Sequence, residues 1–204
     1  MPGGLELDRE EGGLRSWTVE AFGAGRLGVA IAGILLPEGL SVEEALQRLR
    51  SVEALALQLI HWRAFASTLH LLQASALAYK AFREGRMASR SLNMELLLYV
   101  AGERQIKDAL AKVGAREGRA VAICLAGEEG EAVDKLREAL AVLGAAEDDG
   151  LLEADPSKAE GLKEAFGVGD EELEASRAEG EGWLSALTRC VMSRVAELDV
   201  KKEA

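Results

Sequence analysis

The order of apolar and polar positions predicts four strands and a larger number of helices along this 204-residue chain. Residues 14–22 alternate loosely and residues 27–36 are almost continuously apolar, as half-buried and fully buried strands would be. Residues 55–62 and 119–125 are two further runs of β type. Helical spacing begins after a Pro37-Glu38-Gly39 stop, where Ser41 and Glu44 make a capping box for SVEEALQRLR. The clearest long helix covers 64–82, with Phe65, Leu69, Leu72, Ala76 and Tyr79 as one buried stripe. Ser91 or Asn93 caps the next helix, which runs to Val100 with Glu95 in its first turn. Ile106, Ala109, Leu110 and Val113 form a further amphipathic face, closed by Gly114. Val133, Leu136, Leu140 and Leu143 mark a helix ending at Gly144, Asp155-Pro156 starts a short one, and a last helix covers about 181–198.

No internal repeat or hinge divides this series. The expected organisation is a disordered leader at 1–13, one domain over 14–198, large enough to bury a full core, and a tail at 199–204. Between the first two strands lies Gly23-Ala24-Gly25-Arg26-Leu27-Gly28, a literal G-x-G-x-x-G. A dinucleotide site needs a long helix opening at those glycines and an acidic residue closing the next strand. Here the segment stops at Pro37, and Glu43 and Glu44 fall inside the capped helix. A glycine hairpin turn explains the motif more simply, and a small nucleotide-binding domain is the alternative.

Composition narrows the setting. Residues 1–14 lack the apolar core of a secretory signal, and the apolar run 27–36 is too short to span a bilayer. Two cysteines, Cys124 and Cys190, have no metal-site spacing and fit a reducing compartment. A cytoplasmic protein is expected. One Asn and four Gln beside abundant Glu, Arg and Ala resemble a thermophile's usage, although GC-rich codons give a similar bias.

Charge is uneven. The chain carries a net −11, yet residues 61–107 hold 7 basic and 3 acidic groups, while residues 126–204 hold 9 and 21. A phosphate responds to local potential, so the basic island matters more than the total. Lys80, Arg83 and Arg86 at the end of the long helix either complement its dipole or begin a phosphate-facing strip.

Catalytic motifs are missing from the sequence: there is no HExxH, CxxC, GxSxG or Walker lysine loop. His61 and His70 pair with no Cys or carboxylate at helical spacing, and His70 reads as structural. No catalytic residue, metal or cofactor is expected. In the last helix Trp183, Leu184, Leu187, Val191, Val195 and Leu198 lie on one side, broadened by Ala186, Cys190, Met192 and Ala196. A face that wide is either core or shared with a partner.

The order of these pieces carries a resemblance. His61-Trp62-Arg63 leads to HLLQASALAYKAF, then MASRSLNMELLLYVAGERQIKDALAKVG, a strand AVAICLAG, and FGVGDEEL before the last helix. In this the chain resembles the PRPK-binding (TPRKB-like) subunits of the KEOPS complex, over about residues 55–198, with Glu95 to Tyr99, Gly102 to Ile106 and Gly114 matching most closely. The resemblance implies an α+β fold, a small mainly antiparallel sheet of about four strands packed with six to eight helices. It also implies a non-enzymatic subunit of the machinery for tRNA threonylcarbamoyladenosine, with no small-molecule substrate and no membrane contact. Its partners would be the PRPK-type kinase/ATPase subunit and the single-stranded 3′ CCA end of tRNA. The residues assigned to tRNA on that basis are Lys80, Arg83, Arg86, Arg90, Arg104 and Lys107 as cations, and Ser89, Asn93 and Gln105 as base-edge partners. Those assigned to the kinase are Trp183, Leu184, Leu187, Val191 and Arg194. The rival classes are a scaffold that binds only the kinase, and the nucleotide-binding domain.

Overall fold

The computed structural model describes residues 9–11, 13–116 and 118–203. Its centre is an antiparallel sheet built from β1 (Arg9–Glu11), β2 (Leu14–Glu20), β3 (Arg26–Leu35), β4 (Ala56–His61), β5 (Arg119–Ala126) and the two-residue β6 (Ala146–Glu147). The strand order is β1-β2-β3-β5-β4, and β6 pairs with the end of β3 that lies beyond Leu14 of β2. The helices are α1 (Val42–Leu49), α2 (Thr68–Arg83), α3 (Leu92–Ala101), α4 (Ile106–Val113), α5 (Glu129–Leu143), α6 (Ala159–Phe166), α7 (Asp170–Ala175) and α8 (Trp183–Glu203). This is the expected α+β class; the four foreseen strands are the long ones, and β1 and β6 are short additions.

Strand alternation sorts the side chains into two layers, because successive residues point to opposite faces. Val29, Ile31, Val121, Ile123 and Leu125 face α2, α3 and α8 and form the larger core. Ala30, Ala32, Ala120, Ala122 and Cys124 face α1 and α5. The small residues on that second face let α5 approach closely: a Cβ on Gly28 would lie 2.1 Å from the Glu128 carbonyl oxygen. Ser16 and Thr18 fasten the same helix by donating to the Glu129 carboxylate at 2.6 and 3.0 Å. A third cluster joins α6 to the first half of α8 through Leu162, Phe166, Leu187 and Val191.

Gly23 and Gly25 sit at φ 85° and 107° in a tight turn closed by the Ala21 N–H on the Gly25 carbonyl. The turn leads straight into β3 with no helix opening at those glycines, and the start of α5, which does meet Gly28, is packed so closely on it that no room is left for a pyrophosphate. The nucleotide-binding alternative is therefore set aside.

Several local expectations change. Arg9–Glu11 pairs with β2 where a leader was expected, while residues 1–8 and 12 lie outside the described residues. α2 starts at Thr68, capped by Ser67, and Leu69 is 47% exposed rather than part of the buried stripe. Burial instead wraps most of α2, because α3 and α8 both pack against it. Gly114 ends α4 at φ −58°, outside the left-handed region, and forms a bridge to Ile60. The last helix continues to Glu203, so Asp199 is part of the fold and not of a tail.

Candidate functional site

The island's geometry is set by α3. Ser91 caps it, its hydroxyl accepting the Met94 N–H at 3.3 Å. Asn93 instead ties α3 to strand β4: its side-chain oxygen accepts the Leu57 N–H at 2.6 Å, and its carbonyl accepts from Gln58 at 3.2 Å. That employment removes Asn93 from the foremost base-edge candidates. Glu95 is fully buried, and its carboxylate accepts the N–H groups of Ser89 at 2.9 Å and Ala88 at 3.3 Å. A buried carboxylate anchored on backbone fixes the path of the loop that carries Arg86 and Arg90. Ser89 spends its hydroxyl on the Ser91 carbonyl at 2.8 Å.

Asp199 reaches this region from α8. Its carboxylate accepts from Tyr99 Oη at 2.7 Å and Lys80 Nζ at 3.1 Å, with Arg86 at 3.8 Å. Burial pushes the Asp199 carboxyl up, but the Tyr99 bond and then Lys80 and Arg86 outweigh it, so the carboxyl stays below its ordinary value. The Tyr99 phenol is pushed well above its ordinary value, chiefly by burial and then by Asp199. Arg86 is also held by Glu84, its Nε at 2.8 Å. Arg83 donates to Tyr79 Oη at 2.9 Å and stacks 5.7 Å from that ring. Lys80 and Arg86 are thus largely spent on internal partners. The corrected view of these cations is a latch between helices rather than a bare strip.

At the other end of α3, Gly102 turns the chain at φ 64°, and the Glu103 N–H returns to the Leu98 carbonyl at 3.0 Å. Glu103 is held by Lys112 at 2.9 Å. The hinge opens a cleft of about 250 Å³ walled by Gly102, Arg104, Gln105 and Asp108 on one side and by Arg194 and Leu198 of α8 on the other. Gln105 precedes α4 without using its carboxamide as a cap, leaving that group for a ligand. Arg90, Arg104 and Lys107 are exposed and carry no ion pair among the described residues. Of the nine RNA candidates, the structure gathers Arg104 and Gln105 in this cleft, with Lys107 two residues beyond and Arg90 at the opposite end of α3.

The kinase candidates separate. Leu187 and Val191 are 1% and 0% exposed, packed on Ala159, Leu162 and Phe166, so they belong to the core and are not offered outward. Arg194 is anchored within the chain by Glu172 at 2.7 Å and by the Gly167 carbonyl at 3.3 Å. Trp183 and Leu184 remain part-exposed. Leu184 and Leu69 line one cleft, and Lys80 meets Asp199 further along, so α2 and α8 run side by side in the same direction. Exposed apolar groups stand at both ends of this seam: Leu69 near Leu184, and Phe82 and Val200 beside the latch in sequence. Phe82 and Val200 were missed because helical periodicity selects buried stripes and says nothing of an apolar residue left outside one, and Leu69 because periodicity counted it into the stripe.

His70 is fully buried, with the Ala66 N–H donating to Nδ1 at 3.3 Å and Nε2 placed 3.0 Å from the Val100 carbonyl. Burial lowers it to about 4, leaving a neutral structural imidazole. Cys124 is buried and its thiol is pushed up to about 12 by burial, which removes its nucleophilicity. No group of His, Cys, Asp and Glu among the described residues is arranged to hold a metal ion. No described helix is long and apolar enough to cross a membrane.

Comparison with known proteins adds a family. The model of the family described as kinase binding protein CGI-121 matches residues 41–198. A protein of Pyrococcus abyssi named KEOPS complex subunit Cgi121 is 49% identical over 45 residues, 22% of this chain and 26% of that relative. A protein of Methanocaldococcus jannaschii named regulatory protein Cgi121 is 29% identical over 115 residues, 56% of this chain and 66% of the relative. The chain therefore spans less than two thirds of either relative's length.

Proposed function

The chain belongs to the CGI-121 family of kinase-binding proteins, and on that footing we propose that it is a non-catalytic KEOPS subunit of the cytoplasm. In this reading it docks on the complex's kinase/ATPase subunit and holds the 3′ CCA end of tRNA during threonylcarbamoyladenosine formation. The relative named as a KEOPS subunit supports the assembly, and the relative named as regulatory supports a role without turnover.

The observation that carries the RNA half is the hinge cleft. Arg104 and Gln105 stand uncommitted at its mouth, while Glu103 beside them is neutralised by Lys112. A single-stranded end needs this pairing of a cation for the phosphate and a carboxamide for a base edge. Lys107 extends the positive potential beside the cleft, Arg90 stands at the opposite end of α3, and Lys80 and Arg86 brace the scaffold through Asp199. The kinase half rests on the α2–α8 seam, where Leu69, Leu184, Phe82 and Val200 offer apolar surface along two parallel helices, a form suited to packing against another domain.

The test is a titration of the purified chain with tRNA carrying or lacking its CCA end, alone and with the kinase subunit. Tighter binding of the CCA-bearing form is expected, together with kinase association that RNA does not compete away. Equal affinity for both tRNAs would remove the CCA assignment and leave a kinase-only scaffold. Robust ATP hydrolysis or threonylcarbamoyl transfer by the chain alone would overturn the non-catalytic role.

A further inference from the structure

A second set of cations, none of them among the residues assigned above, gathers where β4 ends and β5 begins. Trp62, half-buried in the turn after β4, has Arg63 Cζ 4.4 Å, Lys158 Nζ 5.3 Å and Arg119 Cζ 5.5 Å from its ring centroid. Arg116 stands in the loop leading to β5. His61, Arg63 and Arg116 line one recess, and burial and then the charges of Arg116, Arg63 and Lys158 hold the His61 imidazole below its ordinary value. Arg63, Arg116 and Arg119 are exposed and carry no ion pair among the described residues.

Three neighbouring arginines with no ion pair among the described residues keep their guanidinium groups open to a ligand. Their preparation points to a ligand. An indole stacked by a guanidinium holds that group flat and leaves its N–H edges turned outward, a fork that matches phosphate oxygens. Lys158 lies beneath, 6% exposed, bonded to the Leu151 carbonyl at 3.1 Å and 4.7 Å from the Phe65 ring. Its charge adds positive potential from a side where solvent screens it little.

Position says which phosphates. A cleft of about 520 Å³ runs from His61, Arg63 and Arg116 to Glu103 and Asp108. Glu103 and Asp108 also wall the hinge cleft, so the two recesses meet across the start of α4. Asp108 and Glu164 also line the larger recess, which favours its arginine edge for a polyanion. We propose that Arg63 and Arg119, braced on Trp62, form with Arg116 a second phosphate-binding surface that holds the RNA backbone leading to the strand end in the hinge. This inference rests on the RNA reading of the hinge, and its test separates the two.

The experiment compares wild type, a triple Arg63→Gln, Arg116→Gln, Arg119→Gln variant, and Arg104→Gln, each checked by circular dichroism. Each is titrated with whole tRNA and with a four-nucleotide RNA ending in CCA. The triple variant is expected to lose about tenfold in tRNA affinity and to flatten the log affinity against log salt slope by about 2 units, while binding the short RNA like wild type. Arg104→Gln is expected to weaken both ligands. A triple variant with wild-type tRNA affinity and salt slope would overturn the proposal. So would one that loses only kinase association, since the patch would then be a protein contact. If Arg104→Gln leaves short-RNA binding untouched while the triple variant still loses tRNA, the hinge reading fails and the arginine surface stands.

Discussion

The hydroxyl of Tyr99 donates to the carboxylate of Asp199 at 2.7 Å, joining residues 100 positions apart in the chain. Both groups are buried, and the other carboxylate oxygen takes Lys80 at 3.1 Å. One side chain of α8 thereby fixes α3 and α2 together.

Breaking this latch should cost stability in proportion to what is stranded. Tyr99→Phe removes one charge-assisted bond and is expected to lower unfolding free energy by about 2 kcal/mol. Asp199→Ala withdraws one shared acceptor from Lys80, Arg86 and the phenol together and should cost more, about 3 kcal/mol. Urea denaturation of both variants checks the order. Because the folded Asp199 carboxyl lies below its ordinary 3.8, its contribution is complete above about pH 4 and is lost as pH falls below that value. Equal losses in the two variants would contradict the latch.

His70 sets a separate acid limit. Its folded value near 4 lies below the ordinary 6.5, so the unfolded chain binds the proton first. Stability from the neutral ring is whole above pH 6.5 and is lost progressively toward pH 4, by roughly 3 kcal/mol. Stability measured across that window in wild type and in His70→Gln should show the slope shrinking in the variant.

Free and latched cations should answer differently to charge reversal. Arg104→Glu or Arg90→Glu is expected to weaken tRNA and to reduce the salt slope by about one unit, with melting temperature unchanged. Lys80→Glu places a second acid beside Asp199 and should lower the melting temperature first. Calorimetry alongside the binding titration distinguishes the two classes, and an Arg104 variant that unfolds would move that residue into the structural set.

On α8 the same logic separates core from contact. Leu187→Glu should unfold the chain, since it buries a charge without a partner. Leu184→Glu and Val200→Glu should abolish kinase association with little change in melting temperature and no change in tRNA affinity. Kinase binding that survives both exposed changes would place the docking surface off this seam.

Much of the fold can be read from local pattern. The capping box at Ser41 and Glu44 is present in full, and the hairpin glycines and the four long strands lie where alternation put them. Such features depend on neighbours in sequence, and the pattern contains them. The site is less legible because its chemistry joins distant segments. Apolar periodicity ends at Leu198, so the most consequential acid of the last helix fell one residue beyond the expected boundary. Asn93, unique in composition, invited a base-edge role, although a partner on β4 employs it. The Trp62 cluster draws cations from residues 63, 119 and 158, and only the His61-Trp62-Arg63 triplet gave any local sign of it.

The pairing of α2 with α8 has a consequence for synthesis. Every strand of the sheet and the helix α2 leave the ribosome before α8 does, since α8 is the last of these elements in chain order. Until then Tyr99 lacks its acceptor, and the surface that Val195 and Leu198 will cover lies open to water. A nascent chain at that stage holds a nearly complete sheet with an uncapped apolar flank, the sort of species that invites chaperones and premature pairing with other chains. The arrival of α8 closes that flank, sets the latch and lays down one side of the seam proposed for the kinase, so burial of the flank and formation of the seam fall at the same moment in the life of the molecule.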